Sequence, residues 1–244
     1  MLSSTLFASL LISTAFALPQ KRAASDLSEI STLFQQKQLV PDVFPSFKPS
    51  AFLDVVYTDS STKKSINVTA GGSLTVQQTA NAPQFFLRGA ENASYVVAMI
   101  DPDAPTPQNR SLAQVRHVLG GNFQLEKDGE LKNTTAALSE YVPPGPPPGS
   151  DPHRYLVVVY KQPTPDLDCV ADELVNASTP IVGFNLTTFA EKVGLGQPIA
   201  GNFWLTGPGE ASTSSASASG ADRVGTRVGV ITGAVIFAAA IVLF

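Results

Sequence analysis

Two aspartates, two histidines and a proline-stiffened loop are the residues of this 244-residue chain whose types and spacing suggest chemistry. Asp101 and Asp103 follow the apolar run Tyr95-Val96-Val97-Ala98-Met99-Ile100 and alternate with Pro102, Pro105 and Pro107. The chain's two histidines, His117 and His153, lie in VRHVLGGN (115–122) and PPGPPPGSDPHRYLVVVY (143–160). If the fold gathers them, a carboxylate favours imidazolium, and imidazolium donates hydrogen bonds to an anion. Six of residues 143–152 are proline, which has no backbone N–H, so the loop's amide donors are Gly145, Gly149, Ser150 and Asp151. A stiff loop with few donors suits a small anion such as phosphate. Glycine lets such a ligand approach the backbone. Plainer readings stand beside this one. Asp101 could cap turn amides, a common task for Asp before Pro. His153-Arg154-Tyr155 could be a buried structural cluster, with His153 bonded to a carbonyl.

These segments need elements to position them. Asp26 to Leu39 reads as a helix with Asp26 and Glu29 at its start, Leu27, Ile30, Leu33 and Phe34 on one face, and Pro41 as its stop. Strand-like runs follow at 52–58, 73–76, 84–87, 95–100, 115–121 and 155–161, punctuated by Gly, Pro, Asn and Ser. A second short helix fits 187–193, with Gly194 ending it. Many strands and few helices predict a mostly β sandwich or barrel. YVVAMI and YLVVVY are apolar throughout, which predicts central strands covered on both faces.

Both ends resemble processing signals. Residues 1–17 have an apolar stretch and a small-x-small site at Ala15-Phe16-Ala17, the pattern of a secretory signal peptide. Lys21-Arg22 is either a dibasic site closing a propeptide at 18–22 or the charged start of the mature chain. One domain is expected over 23–210, then a Ser/Ala-rich linker at 211–219. Residues 220–244 end in seventeen apolar or small residues with no basic residue after them. Small residues, polar spacer and terminal apolar tail form the pattern of a GPI-attachment signal, with Ser217 as attachment site. A short tail-anchoring helix is the alternative. Asn67, Asn92, Asn109, Asn133, Asn176 and Asn185 each open an N-x-S/T sequon. The expected location is therefore outside the cell, anchored through a GPI lipid to plasma membrane or cell wall. Residues 23–219 hold 12 Lys and Arg against 19 Asp and Glu, with no basic cluster, so nucleic acid is not an expected partner. The lone Cys169 allows no internal disulfide, so stability must come from a core.

DPDAP (101–105), HVLGGN (117–122) and GPPPGSDPHRY (145–155) resemble the signature of the phosphatidylethanolamine-binding protein family. PDVFPSFKPSAFLDVVY (41–57) and FAEKVGLGQPIAGNF (189–203) are further matches, in family order. The resemblance implies a β-sandwich of a large and a small sheet, with an anion pocket at one end. It implies Asp101, His117, Gly145, Pro146, His153 and Tyr155 as ligand-binding residues. Asp103, Pro105, Gly149 and Arg154 are supporting residues, with a cis bond at Ala104-Pro105. It also implies binding of phospholipid headgroups or phosphate-like anions, or inhibition of a serine carboxypeptidase through surfaces outside the pocket, notably the N-terminal segment. The chain departs from the family at Val115-Arg116, where an aromatic and another histidine are usual. Arg116 could offer a phosphate fork, but strand alternation assigns it to solvent. It also departs after Trp204, where many members have a helix near the pocket.

An enzyme reading finds no nucleophile. Cys169 lies in the acidic DLDCVADE, which would raise a thiol's pKa, and no G-x-S-x-G elbow occurs. Two histidines without close spacing make a poor metal set. No cofactor is expected. The resulting expectation is a cell-surface binder of a small phosphate-bearing ligand or phospholipid headgroup, with a carboxypeptidase inhibitor as the alternative.

Overall fold

The two runs expected to be covered on both faces form the middle of a six-stranded sheet in the computed structural model. Residues 26–163, 167–176 and 178–209 are described, all within the unit Met1–Ala211. The expected signal peptide, dibasic segment, Ser/Ala linker, Ser217 and GPI tail lie outside the described residues. The elements in order are α1 (Leu27–Gln36), α2 (Leu39–Asp42), β1 (Phe52–Thr58), β2 (Ser65–Asn67), β3 (Gly72–Ser73), β4 (Gln84–Arg88), β5 (Ser94–Asp101), β6 (Val115–Leu125), β7 (Leu131–Asn133), β8 (His153–Lys161), α3 (Leu167–Asp172), α4 (Leu186–Lys192) and β9 (Ala200–Thr206). The large sheet has the order β3-β9-β8-β5-β6-β7 and the small one β2-β1-β4. The β3–β9 pair is parallel and the others are antiparallel.

Period-two alternation makes the large sheet the central layer. Val97 and Met99 of β5, with Val157 and Val159 of β8, face the small sheet's Leu53, Val55 and Leu87. Val96, Ala98 and Ile100 face the other way, joining Phe34 of α1, Leu186 and Phe189 of α4, and Phe47. Each such buried aliphatic side chain contributes about 1.5–3 kcal/mol over an exposed one. Phe34 stacks on Phe47 at 4.1 Å and meets Phe203 edge-on at 5.4 Å, docking α1 onto β9. The mostly β sandwich with few short helices is as expected.

Several local expectations shift. Asp26 caps α1 by accepting from Ser28 N–H at 2.8 Å. The first helix ends at Gln36, and Gln38 turns into the left-handed region at φ 55°, so Pro41 falls in α2 instead of stopping α1. Gly194 does end the α4 segment, at φ 72°. The strand expected at 73–76 shrinks to Gly72–Ser73, because Thr79 donates back to the Thr75 carbonyl and makes a turn. Strands β2, β7 and β9 and helix α3 had no counterpart in the sequence reading.

Candidate functional site

Antiparallel pairing brings the site together. Strand β5 ends at Asp101 where its neighbours β6 and β8 begin, and β9 ends beside the start of β8. Asp101, Tyr155 and His153 extend the alternation of Met99 and Val157, so they belong to the face turned toward the small sheet. His117 reaches that face only through an irregularity. Met99 pairs with Val118 and Ile100 with Arg116, leaving His117 as the extra residue of a bulge. The bulge turns His117 against Tyr155, with ring centroids 5.1 Å apart.

The polar geometry is specific. His153 Nδ1 lies 2.7 Å from Asp101 Oδ2, with both side chains buried. The other Asp101 oxygen accepts from Asp103 N–H at 2.7 Å, so the turn-capping role and the histidine pair coexist on one carboxylate. His153 Nε2 lies 3.0 Å from Ser150 Oγ, which binds it to the proline loop instead of to a carbonyl. His117 Nδ1 is 2.6 Å from the Val142 carbonyl oxygen. A carbonyl only accepts, so Nδ1 carries a proton. Burial pushes this imidazole below its ordinary pKa, overriding the opposite pulls of the Val142 carbonyl and Asp101. His117 is thus neutral, and Nε2 holds a buried lone pair without a partner.

Tyr155 lies between these groups. Its ring stacks on His153 at 6.3 Å and on Trp204 at 5.9 Å. Burial first, and then the Asp101 charge, push its phenol pKa up, while the Gly145 backbone works the other way. Gly145 is exposed with ordinary φ, and a Cβ there would meet nothing within 4 Å. Neither fold nor packing demands glycine at 145. Gly149 differs, because φ 81° and the Ser150 N–H to Pro147 carbonyl bond place it in a turn. Pro146 is buried in the same loop.

Below the site lies an ion-pair network. Asp103 accepts from Arg154 N–H at 2.8 Å, Nε at 2.9 Å and Nη2 at 2.7 Å, with Arg110 Nε at 3.2 Å. Arg154 also meets Asp42 and donates to the Lys37 carbonyl at 2.7 Å, joining β8 to the N-terminal helices. Burial would raise the Asp103 pKa, but the arginines outweigh it and hold the carboxyl below its usual range. The Ala104–Pro105 bond is cis, as expected, and so are Val40–Pro41 and Ala113–Gln114.

Sequence reasoning named Ser150 only for its amide and missed its hydroxyl contact with His153, and it missed Trp204 and Thr206 at the site. Trp204 and Thr206 lie opposite Tyr155 and His153 on β9, and Trp204 Nε1 and Thr206 Oγ1 are the other buried side-chain atoms without partners among the described residues. The available signal was the short β-prone run Phe203-Trp204-Leu205-Thr206. Arg116 requires correction. It points away from the face that carries Asp101 and His153, as alternation demands, but its own face is covered and the residue is only 2% exposed. Five sequon asparagines are exposed. Asn133 is half-buried in β7, and its Nδ2 would lie 3.2 Å from a Cβ at Gly120.

A two-sheet sandwich with a buried Asp–His pair where β5 ends and β8 begins defines a class. Residues 58–204 match the model of the family described as Phosphatidylethanolamine-binding protein, and the chain belongs to that family. It is 30% identical over 171 residues to a 26 kDa secreted antigen of Toxocara canis, covering 70% of this chain and 62% of the relative, less than two thirds of that protein's length. Among solved structures it is similar to a carboxypeptidase Y inhibitor complexed with its cognate proteinase, with TM-score 0.63 and 23% identity over 75% of this chain and 96% of that one. A phosphatidylethanolamine-binding protein from Plasmodium vivax gives TM-score 0.55 and 19% identity, covering 72% and 96%. At these identities the likeness is one of fold.

Proposed function

We propose that this protein is a non-enzymatic binder of a small phosphate-bearing anion, free or as a phospholipid headgroup, at Asp101, His117, Gly145, Pro146, His153 and Tyr155. The observation that carries the reading is the buried, unpartnered Nε2 of neutral His117 beside the Asp101–His153 pair. A phosphate monoester monoanion has an O–H to donate to that lone pair. A dianion would instead draw a proton onto Nε2 and accept from it. The Gly145 amide is aimed at the Tyr155 hydroxyl, and the missing side chain lets a ligand approach this backbone. Asp101 orients His153, and Asp103 with Arg154 holds the loop beneath. The test is calorimetric titration with inorganic phosphate, phosphoethanolamine and acetate. Saturable binding of the two phosphates, abolished in folded Asp101→Ala and His153→Ala variants, is expected. Folded wild type that binds neither phosphate contradicts the reading.

A second reading, a serine carboxypeptidase inhibitor, is supported by the fold shared with the carboxypeptidase Y inhibitor. The N-terminal helices, tied to β8 through Arg154 and the Lys37 carbonyl, would carry that activity. Inhibition lost on deleting residues 23–38 supports it, and no inhibition by the whole protein removes it.

Secretion, glycosylation and a GPI anchor at Ser217 complete the proposal. They rest on the sequence patterns, and the relative described as a secreted antigen supports secretion. Among the described residues no helix is long and apolar enough to cross a membrane. Asn109 is exposed, and its neighbour Gln108 bonds Asp151 of the proline loop at 2.5 Å. A glycan there stands beside the pocket and favours small ligands over large partners. Unchanged protein-partner binding after Asn109→Gln would argue against this.

A further inference from the structure

Among the described residues, Arg116 is a buried cation without a counter-charge. Its side chain lies on the helix side of β6, where Nε donates to Ser139 Oγ and Nη2 to the Thr179 carbonyl, both at 3.0 Å. Its guanidinium stands 5.2 Å from the centre of the Phe184 ring. Both hydrogen-bond partners are neutral, and among the described residues no carboxylate pairs with it. A buried charge in this state is costly, and burial accordingly pushes its pKa down.

Arg116 borders a cavity of about 310 Å³ whose other walls include Leu174, Val175, Thr179, Val182, Phe184 and Phe189. Val175, Val182, Phe184 and Phe189 give the cavity an apolar wall, and Lys192 is its second charged residue. Asp172 and Glu140 line a neighbouring cavity that also touches Arg116, so the side bordered by Lys192 carries positive charge alone. Ile181 and Val182 are 38% and 39% exposed beside it, with Leu112 held to them through the Gly183 N–H. The cavity therefore has an apolar wall, an apolar rim and a cationic end, at a size within the range of small-ligand sites.

We propose that this cavity is a second ligand site, separate from the Asp101 pocket, for a small amphiphile with an anionic carboxylate head and an apolar body. The carboxylate accepts from the Arg116 N–H donors that Ser139 and Thr179 leave free, and the body covers Val175, Phe184 and Phe189. Lys192 closes the electrostatic complement at the mouth. The proposal does not rest on the phosphate reading, because the two sites lie on opposite faces of the large sheet.

The test is titration of the glycosylated protein with decanoate, with decanol and decyltrimethylammonium as matched probes. Decanoate binds saturably, decanol at least tenfold more weakly, and the cation not at all. Arg116→Met weakens decanoate roughly ten- to a hundredfold, the scale of a lost charged hydrogen-bonded contact. Because Arg116 is buried, the exposed substitutions Lys192→Ala and Val182→Asp test the site without disturbing the core, and each lowers affinity several-fold. Asp101→Ala leaves decanoate binding unchanged. Decanol binding as tightly as decanoate overturns the proposal. So does decanoate binding that ignores both Lys192→Ala and Val182→Asp, or that disappears with Asp101→Ala. Failure of the folded wild type to bind decanoate overturns it too, and leaves the phosphate site untouched.

Discussion

His153 donates from Nδ1 to Asp101 across 2.7 Å, joining the first residue of β8 to the last of β5. The contact follows from antiparallel pairing, which places the end of one strand at the start of its neighbour. It uses one His153 nitrogen, and Ser150 takes the other. The nitrogen left for a ligand is on His117. On the proposed reading the two histidines have different tasks: His153 holds the carboxylate and the proline loop, and His117 is the one proposed to meet the anion.

That division predicts a pH dependence for anion binding. Burial holds free His117 below its ordinary 6.5, and an anion at Nε2 raises it. Affinity therefore rises as pH falls through the bound-state value and levels off below the free-state value. Sulfate is the clean probe, because it stays a dianion over this range. Its dissociation constant should fall by up to about tenfold per unit between pH 7 and 5. His117→Gln should flatten the profile, and an unchanged slope in that variant would exclude His117 as the linked group.

Gly145→Ala separates binding from folding. No neighbour lies within 4 Å of the added Cβ and φ is ordinary, so stability should stay within about 0.5 kcal/mol of wild type. Phosphoethanolamine affinity should fall at least about tenfold, because the methyl occupies the ligand's approach. Thermal unfolding and calorimetry on one preparation would read both. Unaltered affinity would remove Gly145 from the site.

Asp103→Asn attacks the support. It leaves Arg154 buried at 7% exposure without its main carboxylate and should cost about 3 kcal/mol in chemical denaturation. The sign of the pH effect follows from the depressed Asp103 pKa. Its contribution is complete above the unfolded value near 3.8 and is lost as pH falls through the lower folded value. Wild type should lose stability below about pH 4 more steeply than the variant. Parallel acid limbs would contradict this.

Glycopeptide mapping should find glycan at the five exposed sequons and none at Asn133. Asn133 lies in β7, its Oδ1 accepts from Thr135 N–H at 3.0 Å, and Gly120 faces its amide. A fully occupied Asn133 would mean that β7 opens before the sugar is attached.

Much of this fold was legible, because the signals were local and repeated. The run 52–58 alternates buried and half-buried residues and forms β1 at those bounds. The apolar runs of β5 and β8 announced strands covered on both faces. Arg116 shows where the reasoning stopped short. Alternation correctly pointed it away from the face of Asp101 and His153, but the double cover inferred for β5 and β8 was not extended to their neighbour β6. The bulge that turns His117 inward depends on pairing between β5 and β6, which no single segment encodes. Strands β2 and β7 have three residues each, too few for a periodic pattern to stand out. The orphaned Nε2 depends on the Val142 carbonyl, 25 residues away, so it became visible only with the fold.

The most direct test of the anion-binding claim is nitrogen NMR of the two imidazole rings during titration with phosphoethanolamine. The account predicts that His117 Nε2 moves saturably from the bare toward the protonated or hydrogen-bonded range, while its Nδ1 and the Asp101-bound Nδ1 of His153 stay protonated. Saturating phosphoethanolamine that leaves His117 Nε2 unmoved would contradict it.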